Sequence, residues 1–321
     1  MAEKVEQNTK GVSLWRDAWR RLLKNKLAVF GLVVLAIMVV AVLIGPPIVT
    51  WTTGYTYDLI PTDRSLVRSM PPSSSHLMGT DDAGRDIFTR VLQGGRISLM
   101  VGLISTIVSL MVGVSYGATA GFLGGRIDNI MMRIVDILYS IPYILIVIVL
   151  LSVFGGPNTP QWINWTSGKI GGEGNQALSQ IFLLFFALGL VSWLTMARVV
   201  RGQILSLKNQ EFVLAARASG VSNFGIIFRH LIPNALGPVV VYATLTIPSV
   251  MLTEAFLSFL GLGVQAPYAS WGSLASDGIK NVAIFPWQLI FPGITMALAL
   301  FSLNFLGDGL RDALDPQTRK F

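Results

Sequence analysis

The residues that could do chemistry are few in this chain, and their spacing assembles no catalytic or metal site. The 321 residues include no cysteine, which excludes disulfides, thiolate nucleophiles and cysteine-based zinc or iron–sulfur sites. The two histidines, His76 and His230, stand far apart in the sequence. The chain also lacks a GxxxxGK[ST] phosphate loop, a GxSxG elbow and an HExxH helix. We therefore expect no catalytic residue, no metal site and no cofactor in this chain.

Charged side chains inside apolar stretches are the remaining candidates. Arg133 and Asp136 are spaced i, i+3 at the start of one stretch, and Glu254 lies near the end of another. Charged groups at membrane depth are costly and usually face a cavity or a partner. For Arg133 and Asp136 a structural pair within or between helices is favoured over a substrate role. For Glu254, lining the outer mouth of a pathway and pairing with a partner chain remain equally open.

The composition is that of a membrane protein. Charged residues make up 13% of the chain and apolar types 52%, with a mean hydropathy of +0.62, whereas soluble domains carry roughly 25% charged residues. A helix needs about 20 apolar residues to cross the hydrocarbon core, and six charge-free stretches are long enough. They predict an all-α membrane protein with six spans: Leu27–Ile48, Ile97–Phe122, Ile130–Phe154, Leu178–Ala197, Ala235–Leu260 and Pro286–Leu306.

The distribution of Lys and Arg predicts the orientation of these spans. With both termini in the cytoplasm, 17 of the 24 basic residues lie in inner segments and seven in outer ones. Inner loops of membrane proteins carry such an excess, so we expect the N-in, C-in topology. The net charge of +7 then reflects topology in a lipid bilayer, and no nucleic-acid partner is expected.

The predicted organisation follows from these spans. Residues 1–26 form a cytoplasmic tail, in which apolar positions at helical spacing predict an amphipathic helix on the inner leaflet, although a solvated basic tail is the alternative. The other predicted segments are the first span 27–49, an extracytoplasmic loop 50–96, a core of five helices 97–307 and a cytoplasmic tail 308–321.

Three local features of the outer segments are also predicted. Asp81 or Asp82 is expected to cap the helix that leads into the second span. Loop 155–177, rich in Gly and Asn, is expected to be irregular. Trp271 is expected to anchor its loop at the membrane interface.

The inner connection 198–234 carries the most information. It holds five basic residues and a single acid, Glu211. An Ala-rich helix is predicted to end at Gly220, and Ser222 or Asn223 to cap a second helix that Pro233 stops. A stiff helix–turn–helix of this kind could transmit motion from a soluble partner into the membrane, but composition alone fits a solvated connector equally well.

This connection resembles the EAA loop of ABC importer permeases, whose pattern is Glu-Ala-Ala-x-x-x-Gly followed by Leu/Ile-x-Pro. Ala215, Ala216 and Gly220 match the first part, and Leu231 and Pro233 match the second. The glutamate position is occupied by Leu214, so no specific salt bridge is expected from it. Longer strings at 79–102, 124–138, 191–208, 258–278 and 303–316 resemble the C-type permease of oligopeptide and dipeptide importers, closest to the oligopeptide branch.

The resemblance implies a type I ABC importer fold and a function in alternating-access uptake of oligopeptides across the cytoplasmic membrane. The implied partners are a B-type permease, two ABC ATPases that bind ATP and magnesium, and an extracytoplasmic peptide-binding protein. Dipeptides, glutathione or nickel chelates are alternative cargo, and a secondary transporter is the rival class. The implied ATPase-coupling residues are Glu211, Ala215, Ala216, Arg217, Gly220, Val221, Arg229, His230 and Pro233.

Overall fold

A computed structural model describes residues 14–63, 65, 67–155, 158–171 and 176–314. The described chain is almost entirely helical, and its β structure is a single isolated bridge between Thr80 and Asp86. The helices are α1 Leu14–Leu22, α2 Lys26–Thr53, α3 Ile87–Leu123, α4 Gly125–Ser140, α5 Tyr143–Phe154, α6 Gln161–Gly171, α7 Gln176–Leu207, α8 Glu211–Ala218, α9 Asn223–Gly225, a π-helix Ile226–Leu231, α10 Ile232–Phe259, α11 Trp271–Lys280 and α12 Trp287–Leu314.

Five of the six predicted spans are single long helices. Helices α2, α3, α7, α10 and α12 are long and apolar enough to cross a membrane. The third predicted span, Ile130–Phe154, is wrong as a continuous helix, because α4 and α5 meet at an angle of 85°. Proline cannot donate a backbone hydrogen bond and disfavours helical geometry in the preceding residue. Accordingly, Ile141 is extended immediately before Pro142.

The inner half of the bundle is built on close contact between α3 and α7. Gly113, Gly117 and Gly121 recur every four residues on α3 and face α7, where an added Cβ at Gly117 would collide with the backbone of Ala197. Small residues at this spacing let membrane helices approach closely enough for dense packing. The α3–α7 contact is therefore the most extensive helix–helix contact in the described chain.

Arg96 supplies the hydrogen bonds that two prolines cannot donate within the neighbouring helix α2. Pro46 and Pro47 lie inside α2, and neither can donate to the carbonyl four residues earlier. The Arg96 guanidinium donates instead to the carbonyl oxygens of Val42 at 2.6 Å and Leu43 at 2.5 Å. Because unsatisfied backbone groups are costly in a bilayer, this contact explains an arginine at the outer end of a span.

The residue that caps the outer end of α3 differs from the prediction. The capping residue is Asp86, whose carboxylate accepts from the Thr89 backbone N–H at 2.8 Å. Asp81 instead closes the preceding turn and pairs with Arg85 and Arg90. The outer segments also include α6, which shows that the prediction of an irregular loop is wrong for 161–171.

Asp82 joins the outer loop to the ends of α11 and α12. Its carboxylate accepts hydrogen bonds from the side chains of Ser69, Gln288 and Asn281. These bonds, that from Ser69 foremost, hold the pKa of Asp82 below its usual value despite partial burial. The outer loop is therefore fastened to the bundle.

The N-terminal helix α1 packs on the protein itself. Its apolar residues Ala18 and Leu22 are buried together with Ala28 of α2 and Ala313 of α12. The predicted helix is present, but this part of its apolar face is covered by the end of α12 and is not available to the inner leaflet. Helix α12 continues to Leu314, into the predicted 308–321 tail, whose residues 315–321 lie outside the described part.

Candidate functional site

The inner connection begins later than predicted, because α7 continues to Leu207 and carries Arg198 and Arg201. The short helix α8 follows and ends as predicted at Gly220, whose φ is +76°. The Gly220 N–H donates to the Arg217 carbonyl and the Val221 N–H to the Ala216 carbonyl, at 3.0 and 3.1 Å. This pair of bonds is the Schellman motif, which needs a left-handed residue and so favours glycine.

The second half of the connection confirms one predicted boundary and corrects another. Ser222 caps α9 by accepting from the Gly225 N–H at 3.2 Å. Pro233 does not stop the helix, since helical structure is continuous from Asn223 to Phe259. Just before the proline the chain widens into a π-helix, in which the Ile232 N–H reaches the Ile227 carbonyl. The Asn234 side chain donates to the His230 carbonyl at 2.6 Å.

One face of α8 packs against the inner ends of α3 and α7. Val213 and Ala216 are buried in a cluster with Phe122 of α3 and Ile204 of α7. The Arg217 guanidinium lies 5.1 Å from the centre of the Phe122 ring, a cation–π distance. Helix α8 is therefore in direct contact with the inner ends of both α3 and α7.

Two polar contacts fasten the same region. Arg201 makes a bidentate contact with Asp128, at 2.6 and 2.7 Å, which joins α7 to the first turn of α4. The Lys208 ammonium donates to the Gly121 carbonyl at the end of α3, at 3.0 Å. The helices contacted by the loop are thus tied to each other and to the first half of the bent span.

We expect Arg201→Met to destabilise the protein more than Arg198→Met does. The Asp128 side chain is 8% exposed, and removal of its partner leaves a buried carboxylate unpaired, at a cost of about 1–3 kcal/mol after allowance for the part-exposed arginine. The Arg198–Asp136 pair is open to solvent on both sides, so its loss costs about 0–1 kcal/mol. Thermal midpoints of the purified complex in detergent measure both, and equal midpoints would contradict the prediction.

The opposite face of the connection is exposed. Of the predicted coupling residues, Glu211, Ala215, Arg217, Gly220, Arg229 and Pro233 are exposed, His230 and Val221 are half-buried, and Ala216 is buried. Phe224 and Phe228 also stand in the open, with ring centres 4.4 Å apart. Sequence reasoning missed this aromatic pair, although its i, i+4 spacing in a segment expected to leave the membrane was a usable signal.

Two of the three charged residues in the apolar stretches make polar contacts within this chain. Glu254 is buried, and its Oε1 accepts from the hydroxyls of Ser258 and Ser270, each at 2.7 Å. This corrects both predicted roles, since the carboxylate faces the interior of its own chain and neither an outer mouth nor a partner. Asp136 pairs with Arg198 of α7 at 2.8 Å and not with Arg133, which is exposed. Among the described residues no group of three or more metal-ligating side chains occurs.

The long apolar helices and the exposed helical connection are those of a multi-span membrane protein. The sequence from residue 92 to 320 matches the family described as binding-protein-dependent transport system inner membrane component, and residues 13–72 match the N-terminal membrane domain of oligopeptide transport permease C. The chain belongs to this family of inner-membrane transport components. It is a multi-pass inner-membrane permease, as the resemblance implied.

Curated relatives match over nearly the whole chain. The oligopeptide transport system permease protein OppC of Haemophilus influenzae is 44% identical over 99% of this chain and 94% of its own length. OppC of Escherichia coli K12 is 46% identical over 99% and 95%, and the dipeptide permease DppC of Bacillus subtilis is 43% identical over 96% and 88%. A solved structure of the inward-facing MetNI methionine ABC transporter aligns with a TM-score of 0.49 and 18% identity, over 70% of this chain and 96% of that one.

Proposed function

We propose that this chain is a permease subunit of an ATP-driven importer of oligopeptides, and that the loop 208–233 couples it to ATPase subunits. The observation that carries the proposal is that one face of α8 is packed and the other is exposed: Ala216 is buried against α3 and α7, and an exposed aromatic pair lies beside the helix. The whole-chain similarity to OppC proteins supports the cargo class.

The proposed assembly contains a B-type permease as the second half of the pathway, two ATPases below the loop, and an extracytoplasmic binding protein that delivers the peptide. ATP and magnesium bind to the ATPases, and this chain takes no part in hydrolysis. Nucleotide shifts the permease between inward-open and outward-open states only because the ATP-bound ATPase pair has a higher affinity for one of them.

Dipeptides are the second candidate cargo, favoured by the similarity to the DppC protein of Bacillus subtilis. Uptake by reconstituted vesicles tests both possibilities. With the binding protein outside and ATP inside, we expect uptake of peptides of three or more residues that does not change when ion gradients are dissipated. Uptake driven by an ion gradient without ATP would contradict the importer, and uptake of dipeptides alone would reassign the cargo.

A further inference from the structure

A cavity of about 340 Å³ lies where the bent third span meets α7 and α10. Ligand pockets in proteins begin at about this size. The described residues that line it include no charged side chain. Its polar side chains all carry hydroxyl groups: Tyr139, Tyr143, Ser192, Thr195, Ser249 and Thr253.

Exposed charges indicate that the inner end of this surface borders water. Asp136 and Arg198 form an ion pair whose side chains are 55% and 41% exposed, and Arg198 lies over the Tyr139 ring at 4.2 Å. Arg198 directly follows the predicted span Leu178–Ala197, and charged groups at the edge of a span face water or a partner.

The backbone supports the same conclusion. The break between α4 and α5 at Ile141 and Pro142 interrupts the helical hydrogen bonding in the middle of a span. Irregular backbone at membrane depth is tolerated where it lines a water-filled cavity or is buried in protein. Because Ile141 and Pro142 line the cavity, the break opens onto it.

Two of the hydroxyl groups are free to bind a ligand. Tyr139 and Thr195 bond to each other at 2.8 Å, and the hydroxyls of Ser192 and Thr253 donate to carbonyls of their own helices. Those of Tyr143 and Ser249 make no hydrogen bond to the described part of the chain, and both side chains are exposed. A hydroxyl both donates and accepts, so it can pair with either the N–H or the carbonyl of a peptide bond.

We propose that transported peptide contacts this subunit in this cavity, and that the hydroxyl groups of the cavity bind the main chain of the peptide. The assignment rests on the proposed function. An uncharged lining gives no basis for choosing between acidic and basic side chains, whereas every peptide presents the same amides. The Asp136–Arg198 pair closes the inner end, since Asp136 precedes the cavity residues of the outward-running α4 and Arg198 follows those of the inward-running α7.

Cysteine labelling tests whether the cavity contains water and cargo, and the absence of native cysteine means that any label on this chain reports the introduced residue. In the assembled complex, Tyr143→Cys and Ser249→Cys should react with a membrane-impermeant methanethiosulfonate at least about tenfold faster than Phe301→Cys, an exposed position on α12. Turnover with binding protein, peptide and ATP should slow this labelling. Equal rates at all three positions, or no effect of turnover, would overturn the assignment.

Transport measurements test main-chain recognition. With saturated binding protein, Ser249→Ala and Tyr143→Phe should lower the maximal uptake of acidic, basic and apolar tripeptides by the same factor, about 3–10-fold for one lost hydrogen bond. Unchanged uptake, different factors for the three peptides, or cross-linking of these positions to the partner permease throughout turnover would overturn this assignment alone. Failure of the unsubstituted complex to take up any peptide with ATP would overturn the proposed function and the assignment together.

Discussion

Ala216→Asp is expected to reduce ATP-driven peptide uptake by at least about tenfold while the chain still inserts into the membrane. Ala216 is 7% exposed and packs in the cluster that joins α8 to Phe122 and Ile204. A carboxylate at this position has no buried partner to neutralise it, and burying such a group costs several kcal/mol. We therefore expect α8 to lose its contacts with α3 and α7, and the proposed coupling to the ATPases to fail.

The matched control is Ala218→Asp, which adds the same charge to an exposed position of the same helix. Uptake by proteoliposomes, with the amount of this chain and of co-purified ATPase measured in parallel, separates coupling from assembly. We expect Ala218→Asp to retain most of the uptake. If Ala216→Asp retained normal uptake at normal abundance, the packed face of α8 would not be the route of coupling.

The features that sequence predicted well are those that local chemistry determines. Gly220 was identified because a helix end needs a left-handed residue, and Ser222 because its hydroxyl can accept from the first turn of a helix. The five unbroken spans followed from charge-free length. Each of these depends on neighbouring residues within one turn or one helix, so one sequence contains the required information.

The features that were not predicted from the sequence depend on contacts between distant segments of the folded chain. Pro233 stays within a helix because a π-turn relieves the clash, and Glu254 is internal because Ser270 comes from a distant segment. The aspartate that caps α3 was misassigned because Asp81, Asp82 and Asp86 all fit the local pattern. The break at Pro142 had a sequence signal, but its direction depends on packing against α7 and α10.

Asp136 shows how a sequence pattern and a structure can assign different partners. The i, i+3 spacing of Arg133 and Asp136 favoured a structural pair within or between helices. The Asp136 carboxylate reaches Arg198, a residue that was expected in the loop after the fourth span. The continuation of α7 to Leu207 is what brings this arginine beside α4. The Asp136 pair therefore joins two helices, with a partner that the i, i+3 spacing did not indicate.

Trp271→Ala is expected to be the most destabilising single substitution considered. Trp271 is fully buried, its indole N–H donates to the Val91 carbonyl at 2.9 Å, and its backbone N–H donates to the Ser98 hydroxyl. The side chain fills the space above Gly95, where an added Cβ would meet the indole ring at 2.6 Å. The prediction of an interfacial anchor is therefore wrong, because this tryptophan is buried and holds the start of α11 against α3.

Truncation of a buried tryptophan creates a cavity and removes the hydrogen bond from the indole to the Val91 carbonyl, at a cost of about 3–5 kcal/mol. Trp271→Phe keeps most of the volume and loses the hydrogen bond, so its effect should be intermediate. Trp51→Ala, at a side chain that is 87% exposed, should change stability by less than about 0.5 kcal/mol. The fraction of complex that remains monodisperse in detergent after heating ranks the three variants. A Trp271→Ala protein as heat-resistant as Trp51→Ala would show that α11 does not depend on the Trp271 side chain, and that the Asp82 contacts suffice to keep it in place.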